Sequence, residues 1–296
     1  MNIDKLLNEL NIKHTCIGET SFETLGLLGA NVNLKLCSFL ADVKYLNIIG
    51  ENTSVLLVPN EMTAVINHKG ICKVDDPRYT FFLLHNHLLQ NGEYHRPVFK
   101  TRIGSNCKIS PLAHIAENNV ILGNNIVIEE FVSIKENVTI GDNTIIRAGT
   151  IIGGEGFEQK RKSDTVLSVH HAGGVIIGSN VELQQINAVD KAIYPWDNTI
   201  IGDYCRTDNM VHIAHGVKMG KRILIAACTC VAGRVQMDDD VWIGPGVTLI
   251  NGMHIGKGAR VNIGSVATRD VEPGKAVTGN FAIDHDRFIS NLKSIR

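Results

Sequence analysis

Between Ile103 and about Ala267 an aliphatic residue returns at every sixth position, often followed by glycine or another small residue. The series runs Ile103, Ile109, Ile115, then Leu122, Ile128, Ile134, Ile140, Ile146 and Ile152. The step from Ile115 to Leu122 holds one residue more, so a single position bulges out there. The register resumes at Ile177, Leu183, Val189 and Ile201, and continues from Ile213 through Met219, Ile225, Val231, Met237, Ile243, Leu249, Ile255 and Val261. Thr207 and Pro195 stand at two further places in the series. A helix would repeat near 3.6 residues and a half-buried strand at 2, and neither accounts for six.

A period of six is the mark of a solenoid in which each unit is a short strand and a turn, three units closing one coil. The repeating aliphatic residue points inward and stacks on its equivalents in the neighbouring coils. Small or β-branched residues four places on, such as Val132, Val138, Thr144, Val211, Val217, Val241 and Val247, fill the remaining interior. Gly, Asp and Asn between them suit tight turns, where a positive φ costs them least. Roughly eight coils are expected at three units each. Stacked antiparallel hairpins would need alternation and two-residue turns, which are not seen.

Three stretches lie outside the repeat. Residues 1–100 mix periodicities, with a short N-terminal helix, strand-like runs such as Val55–Val58, and a helix-like Tyr79–Leu89 after Asp76-Pro77; they read as a small α/β domain. Residues 101–280 form the repeat domain. Within it, residues 153–174 carry charge and glycine where the repeat would place aliphatics, an excursion of the kind that is usually functional. Residues 281–296 read as one short helix, with Phe288, Ile289 and Leu292 as its buried stripe. The expected fold is therefore mainly β: a parallel β-helix preceded by a small α/β domain and followed by a short C-terminal helix.

The balance of 29 basic against 30 acidic residues gives a formal net charge of −1, with no basic face for nucleic acid. No apolar run approaches the length of a membrane span. The N-terminus has no apolar core of a signal peptide. Seven cysteines without paired spacing suggest free thiols in a reducing cytoplasm. Cys228-x-Cys230 has the wrong gap for a redox or zinc motif, and both side chains are expected to stack at the coil wall. His85, His87, His170, His171, His212 and His215 have no carboxylate or thiol at ligand spacing, so no metal is expected.

The densest polar cluster is Asp208-Asn209-Met210-Val211-His212-Ile213-Ala214-His215-Gly216. His215 lies two residues past an inward position, at a turn, and is expected to project outward. An exposed imidazole can take a proton from a weak nucleophile. Surface histidines making local hydrogen bonds would give the same pattern.

Ile201-Gly202-Asp203, Asp208-Asn209 and Ile213-Ala214-His215 resemble the IGDG, IDN and QIAHN segments of the UDP-3-O-acylglucosamine N-acyltransferase (LpxD) family of the lipid A pathway. Gly153-Gly154-Glu155-Gly156-Phe157 is similar to the family's GxxGFG loop. His171–Gly178 stands in place of its PQ-G-VVIGD segment, and Glu182–Asp190 in place of EIGANTTIDRG. Ser38–Tyr45 resembles SFLANPKY. The resemblance runs in matching order from about residue 20 to 290. It implies a left-handed parallel β-helix that forms a homotrimer, with sites in the clefts between subunits. It further implies His215 as general base on an aminosugar amine and Gly233 as donor of an oxyanion-binding backbone N–H. Phe39 and Tyr45 match the residues that hold the uracil ring; ordinary core packing is the alternative for both. Asp190 and Asn209 match polar positions near the cleft, able to orient His215, bind the sugar or cap a turn, and Phe157 matches the loop that meets substrate. Acyl-CoA or acyl carrier protein would be the co-substrate, with no tightly bound cofactor.

The departures from the family pattern shape the expected function. Asp42-Val43 replaces Asn-Pro before Lys44-Tyr45. Met253 takes the place of the family's second histidine, and His254 lies one residue on. Lys191–Asp197 replaces and lengthens the RGALDD segment, and the helical tail is shorter. These features favour a short acyl group from a CoA thioester and a nucleotide-linked aminosugar of surface polysaccharide, such as O-antigen. The alternative is the lipid A reaction itself, with a 3-hydroxyacyl group from acyl carrier protein. A non-catalytic scaffold or sugar-binding module is the third reading, because fold alone does not establish function.

Overall fold

The computed structural model describes all residues except 63–67, 93, 280–281 and 296. The chain divides into two compact units, and the division does not follow sequence order. One unit comprises Met1–Pro97 together with Phe157–Ala172 and Ile193–Trp196; the other comprises Val98–Gly156, Gly173–Ala192 and Asp197–Arg296.

The first unit opens with helix α1 (Ile3–Glu9), capped by the Asn2 side chain, which accepts from the Lys5 N–H at 3.1 Å. Five strands follow: β1 (Thr15–Gly18), β2 (Thr24–Leu25), β3 (Leu36–Phe39), β4 (Thr53–Pro59) and β5 (Gly70–Val74). They form one sheet in the order β1-β5-β4-β3-β2, antiparallel only between β1 and β5. Helix α2 (Pro77–Gln90) starts where its sequence dictates: Asp76 accepts from the Tyr79 N–H at 2.9 Å, and Pro77 occupies a first-turn position whose missing N–H costs nothing. Phe81, Phe82, Leu84 and Leu88 of α2 are buried with Leu25, Val55, Leu57 and Val74 of the sheet.

The two excursions supply the rest of this core. Val169, Ile193 and Tyr194 are buried in it. A hairpin of Gln159–Lys162 against Thr165–Ser168 leads to a segment that α2 holds by its polar side chains. Asn86 donates to the Ser168 carbonyl (2.7 Å) and accepts from the His170 N–H (3.1 Å). Trp196 stacks on Tyr194 at 5.5 Å and donates from Nε1 to the Leu25 carbonyl at 2.9 Å. Cys16 and Cys72, facing each other across β1 and β5, form a disulfide, so the expectation of seven free thiols fails at this pair. Register places their Cα atoms only 4.1 Å apart, and sequence spacing gave no hint of that.

The second unit is a parallel β-helix. Its strands fall into three sheets of nine, eight and eight, which is eight coils and one further strand. One inward ladder reads Ile128, Ile146, Leu183, Thr207, Ile225, Ile243, Val261, each residue paired in register with the next. The intermediate small residues fill the interior as the spacing predicts: Val132, Thr144, Val217 and Val247 are all buried. At the N-terminal end Ile103 is half exposed, because no coil precedes it.

Pro195 is not part of the wall. Val189 and Ile201 lie on consecutive sheets, so 190–197 contains an insert whose middle, Ile193–Trp196, joins the first unit. The corners also differ from expectation. Asn119, Asn125, Asn137 and Asn143 take φ between 56° and 65°, as the residue type allows, and stack through their amides. Yet Ile186 (φ 59°), Met210 (φ 56°) and Cys228 (φ 59°) occupy the same left-handed region on the corner before His212. A β-branched residue there is an outlier, held because each N–H is bonded to the preceding coil: Ile186 to Ala148, Met210 to Gln185, Cys228 to Asn209. Helix α3 (His285–Ile295) ends the chain, and its expected buried stripe is not buried: Phe288 is exposed and Ile289 and Leu292 are only half covered. Among the described residues no helix is long and apolar enough to cross a membrane.

Candidate functional site

The candidate site of the β-helix is built from three neighbouring coils at one wall and the corner that follows it. The wall pairs Ala188 with His212 and His212 with Cys230, each one residue before an inward position, so the side chains face outward. Two residues past the inward Ile213 and Val231, at the corner, stand His215 and Gly233.

His215 occupies the predicted turn but is not exposed; only 6% of its surface is accessible. Its ring lies against the next coil over Gly233. A Cβ on Gly233 would stand 2.7 Å from both Cε1 and Nε2 of His215, and 2.9 Å from the side-chain amide of Asn251. Gly233 is therefore required for space. Its carbonyl accepts from the Gly252 N–H at 2.9 Å, and the His215 carbonyl accepts from the Arg234 N–H at 2.9 Å. With its amide turned to suit its neighbours, Asn251 donates to the Gly233 carbonyl at 2.5 Å and accepts from Arg234 Nη2 at 3.3 Å. Beside His215, the Gly216 N–H donates to Thr199 Oγ1 at 2.9 Å, and that hydroxyl donates to the Asp190 carbonyl at 2.6 Å. Thr199 is fully buried, so this link fixes the corner.

Asp190 does not reach His215 through any of these bonds. Its carboxylate meets His212, with Oδ2 3.0 Å from Nε2. The hydrogen bond and charge of Asp190 raise the His212 pKa, against an opposing contribution from partial burial. On the other side of the ring, Nδ1 lies 3.9 Å from the Cys230 sulfur. Sequence reading singled out both His212 and Asp190 but not their partnership. The signal was there: Ala188 pairs with His212 one coil apart, and Asp190 follows two residues on along the same strand. Cys228 and Cys230 do not stack together, since Cys228 sits at the left-handed corner and Cys230 on the wall.

Asn209 takes the turn-capping role: its Oδ1 accepts from the Gln185 N–H at 3.1 Å. His254 pairs with Asp238 at 3.0 Å on the surface, whereas Met253 is buried. Lys218 and Asp197 form an ion pair at 2.5 Å, and Lys191 pairs with Glu155 at 2.8 Å, so the charges flanking the insert are paired locally.

The remaining residues expected at the site belong to the N-terminal unit. Phe39, half-buried, packs its ring 5.1 Å from Phe81 and 6.2 Å from Phe82. Tyr45, in a 3₁₀ turn at Val43–Ile48, is exposed, with Lys44 Nζ 5.0 Å from its ring centre. Phe157 is 86% exposed. Among the described residues one group brings possible metal ligands together, Asp4, His14 and Cys16 within 4.8 Å, but there Cys16 is bonded to Cys72.

Comparison with known proteins agrees with this architecture. Residues 119–154 match the family model of bacterial transferase hexapeptide (six repeats). The chain is 40% identical over 132 residues to UDP-3-O-acylglucosamine N-acyltransferase 2 of Legionella pneumophila (strain Paris), a match covering 45% of this chain and 38% of that protein. It is 26% identical over 136 residues to the UDP-3-O-acylglucosamine N-acyltransferase of Delftia acidovorans, covering 46% and 40%. The matched stretch thus spans about two fifths of each relative's length. Among solved structures, the Arabidopsis UDP-N-acetylglucosamine acyltransferase superposes with a TM-score of 0.55 at 27% identity, over 61% of this chain and 62% of that one. The UDP-N-acetylglucosamine acyltransferase of Bacteroides fragilis, at 24% identity and a TM-score of 0.51, covers 61% and 67% and speaks for the fold alone.

Proposed function

We propose that this protein is an N-acyltransferase that moves an acyl group from a thioester to the amine of a nucleotide-linked aminosugar. The acceptor in this reading is a UDP-3-O-acylglucosamine and the donor a 3-hydroxyacyl-acyl carrier protein. The observation that carries it is the packing of His215 over Gly233 on adjacent coils, in a chain whose relatives are named for this reaction. The order of preference from sequence is thereby reversed: the acetyl-CoA reaction on an O-antigen sugar drops to second place, because the relatives' names specify UDP-3-O-acylglucosamine.

His215 takes the proton of the amine as its nitrogen attacks the thioester carbonyl, and gives that proton to the thiolate that leaves as the carbon–sulfur bond breaks. The Gly233 N–H donates to the oxygen that gains charge in the tetrahedral intermediate, where a fixed backbone dipole needs no reorganisation. Burial of His215 supports the role, since a shielded ring is held in one orientation by its corner. Asn209 shapes the corner, and in the first unit the exposed rings of Tyr45 and Phe157 are available to the nucleotide or acyl part, while Phe39 packs against Phe81 and Phe82. A cytoplasmic homotrimer completes the reading. The test is turnover: purified protein is given UDP-3-O-acylglucosamine with acylated carrier protein, and in parallel UDP- or dTDP-aminosugars with acetyl-CoA. Product from the first pair alone is expected. Product only from the second would restore the acetyl reading, and none from either would remove the enzymatic one.

A further inference from the structure

The Cys16–Cys72 pair of the first unit does not stand alone. Cys16 lies on β1, the edge strand of the sheet, directly opposite Cys72 on β5. His14 comes one position before β1 and two before Cys16, the spacing that puts two side chains on one face of an extended chain. Helix α1 brings Asp4 from its first turn. Asp4, His14 and Cys16 thereby place a carboxylate oxygen, a ring nitrogen and a sulfur within 4.8 Å of one another, and Cys72 adds a second sulfur joined to the first. The four donors come from positions 4 to 72, so no sequence motif would reveal them.

The contacts of His14 call for a cation among these groups. A carbonyl oxygen can only accept, so the 2.7 Å contact with the Ile12 carbonyl puts the ring proton on Nδ1. Nε2 of the neutral ring then carries a lone pair, yet it faces Asp4 Oδ1 at 3.0 Å, and a carboxylate oxygen also only accepts. Two lone pairs at that distance repel unless a second ring proton or a metal ion stands with them. A second proton would serve Asp4 alone, whereas a metal ion would draw on all four donors. The imidazole is also shielded, with 7% of its side chain exposed, and an Nδ1–H bonded to a carbonyl is how metal-bound histidines are oriented.

We propose that under reducing conditions the Cys16–Cys72 bond opens and that Cys16, Cys72, His14 and Asp4 bind one zinc ion, which clips α1 to the edge of the sheet. Two thiolates with an imidazole and a carboxylate suit tetrahedral zinc, whereas magnesium and calcium select oxygen donors. With all four positions filled by protein the site is structural, and the exposed Asp4 carboxylate at its rim gives the ion a way in. A dithiol reductant supplies two electrons and two protons to the sulfur–sulfur bond and is itself oxidised to a disulfide. Zinc then displaces the two thiol protons to solvent, and no other bond changes. The site lies wholly within the first unit and takes no part in the acyl transfer proposed above. Among the described residues no other three potential ligands lie this close together.

The test uses the full chain, reduced with a phosphine in metal-free buffer and titrated first with cobalt(II) and then with zinc(II). One cobalt per chain is expected, with the intense visible bands of a tetrahedral ion and a thiolate-to-metal charge-transfer band, all removed by one equivalent of zinc. The oxidised chain, with its disulfide closed, is expected to show neither. Cys72 is buried in the sheet and its replacement endangers the fold, so the decisive variants are Asp4→Asn and His14→Gln, which lie outside the strands. Each is expected to weaken zinc binding by more than the roughly 10–100-fold that loss of an outer partner costs, with an unchanged circular dichroism spectrum. Cys228→Ser, which removes the exposed thiol of the second unit, is expected to bind as the wild type does. Absence of the charge-transfer band in the reduced, folded chain overturns the proposal, as does unweakened zinc binding by either variant. Loss of the band in Cys228→Ser, or a disulfide that stays closed in the phosphine, overturns it as well.

Discussion

The imidazole of His215 fills the space that a side chain on Gly233 would need, its Cε1 and Nε2 each 2.7 Å from where a Cβ would stand. Gly233→Ala must therefore push the ring or the coil aside. Overpacking of this kind costs about 1–3 kcal/mol, and the displaced base should lose most of the turnover. Initial rates measured beside thermal unfolding separate the two effects. A variant that turns over normally would take both residues out of the mechanism.

His215→Ala is expected to lower turnover by on the order of 10²–10⁴-fold, the usual reach of general base catalysis. The measurement is the steady-state rate at saturating acceptor, with circular dichroism to show that the coils remain intact. Wild-type turnover would leave the histidine as a buried spacer.

His212 should titrate above the ordinary histidine value of about 6.5, because Asp190 favours its charged form. A base whose pKa is raised on folding stabilises the fold fully below its unfolded value, and that contribution is lost as pH rises through the folded value. The ring is half exposed, so the effect on stability is small, but the midpoint is directly readable from its NMR signals. Asp190→Asn should bring the midpoint down. An unchanged midpoint would mean that the ion pair does not persist in solution.

Thr207 stands in the inward ladder between Leu183 and Ile225, buried, with no hydrogen-bond partner for its hydroxyl. An unsatisfied buried polar group carries a desolvation cost of about 1–3 kcal/mol. Thr207→Val keeps the shape and removes the hydroxyl, so thermal denaturation should show a more stable protein. Ile225→Ala, one coil on, should instead destabilise by about 2–5 kcal/mol. A drop in stability for Thr207→Val would point to a partner for the hydroxyl.

The solenoid was legible because each inward residue must repeat, and Ile128, Ile146 and Leu183 repeat at the positions that the register requires. His215 was legible as a residue but not in its burial, since the space it occupies is created by an absent side chain on another coil. The pairing of Asp190 with His212 lies across 22 residues, and that of Cys16 with Cys72 across 56, distances at which spacing carries no information. Pro195 misled because an insert of repeat length keeps the period while leaving the wall. The exposure of Phe288 could not be read from the helix stripe, which gives a face but not a covering.

That insert and the excursion at 157–172 have a consequence for the order of events during synthesis. The core around Phe81 and Phe82 is closed by Val169, Ile193 and Tyr194, which emerge from the ribosome long after the strands they pack on. The first unit to be translated is therefore not the first that can be completed. The coils between Val98 and Gly156 are made while the N-terminal sheet still lacks part of its cover, and a fragment ending at Pro97 would be born without the residues that seal it.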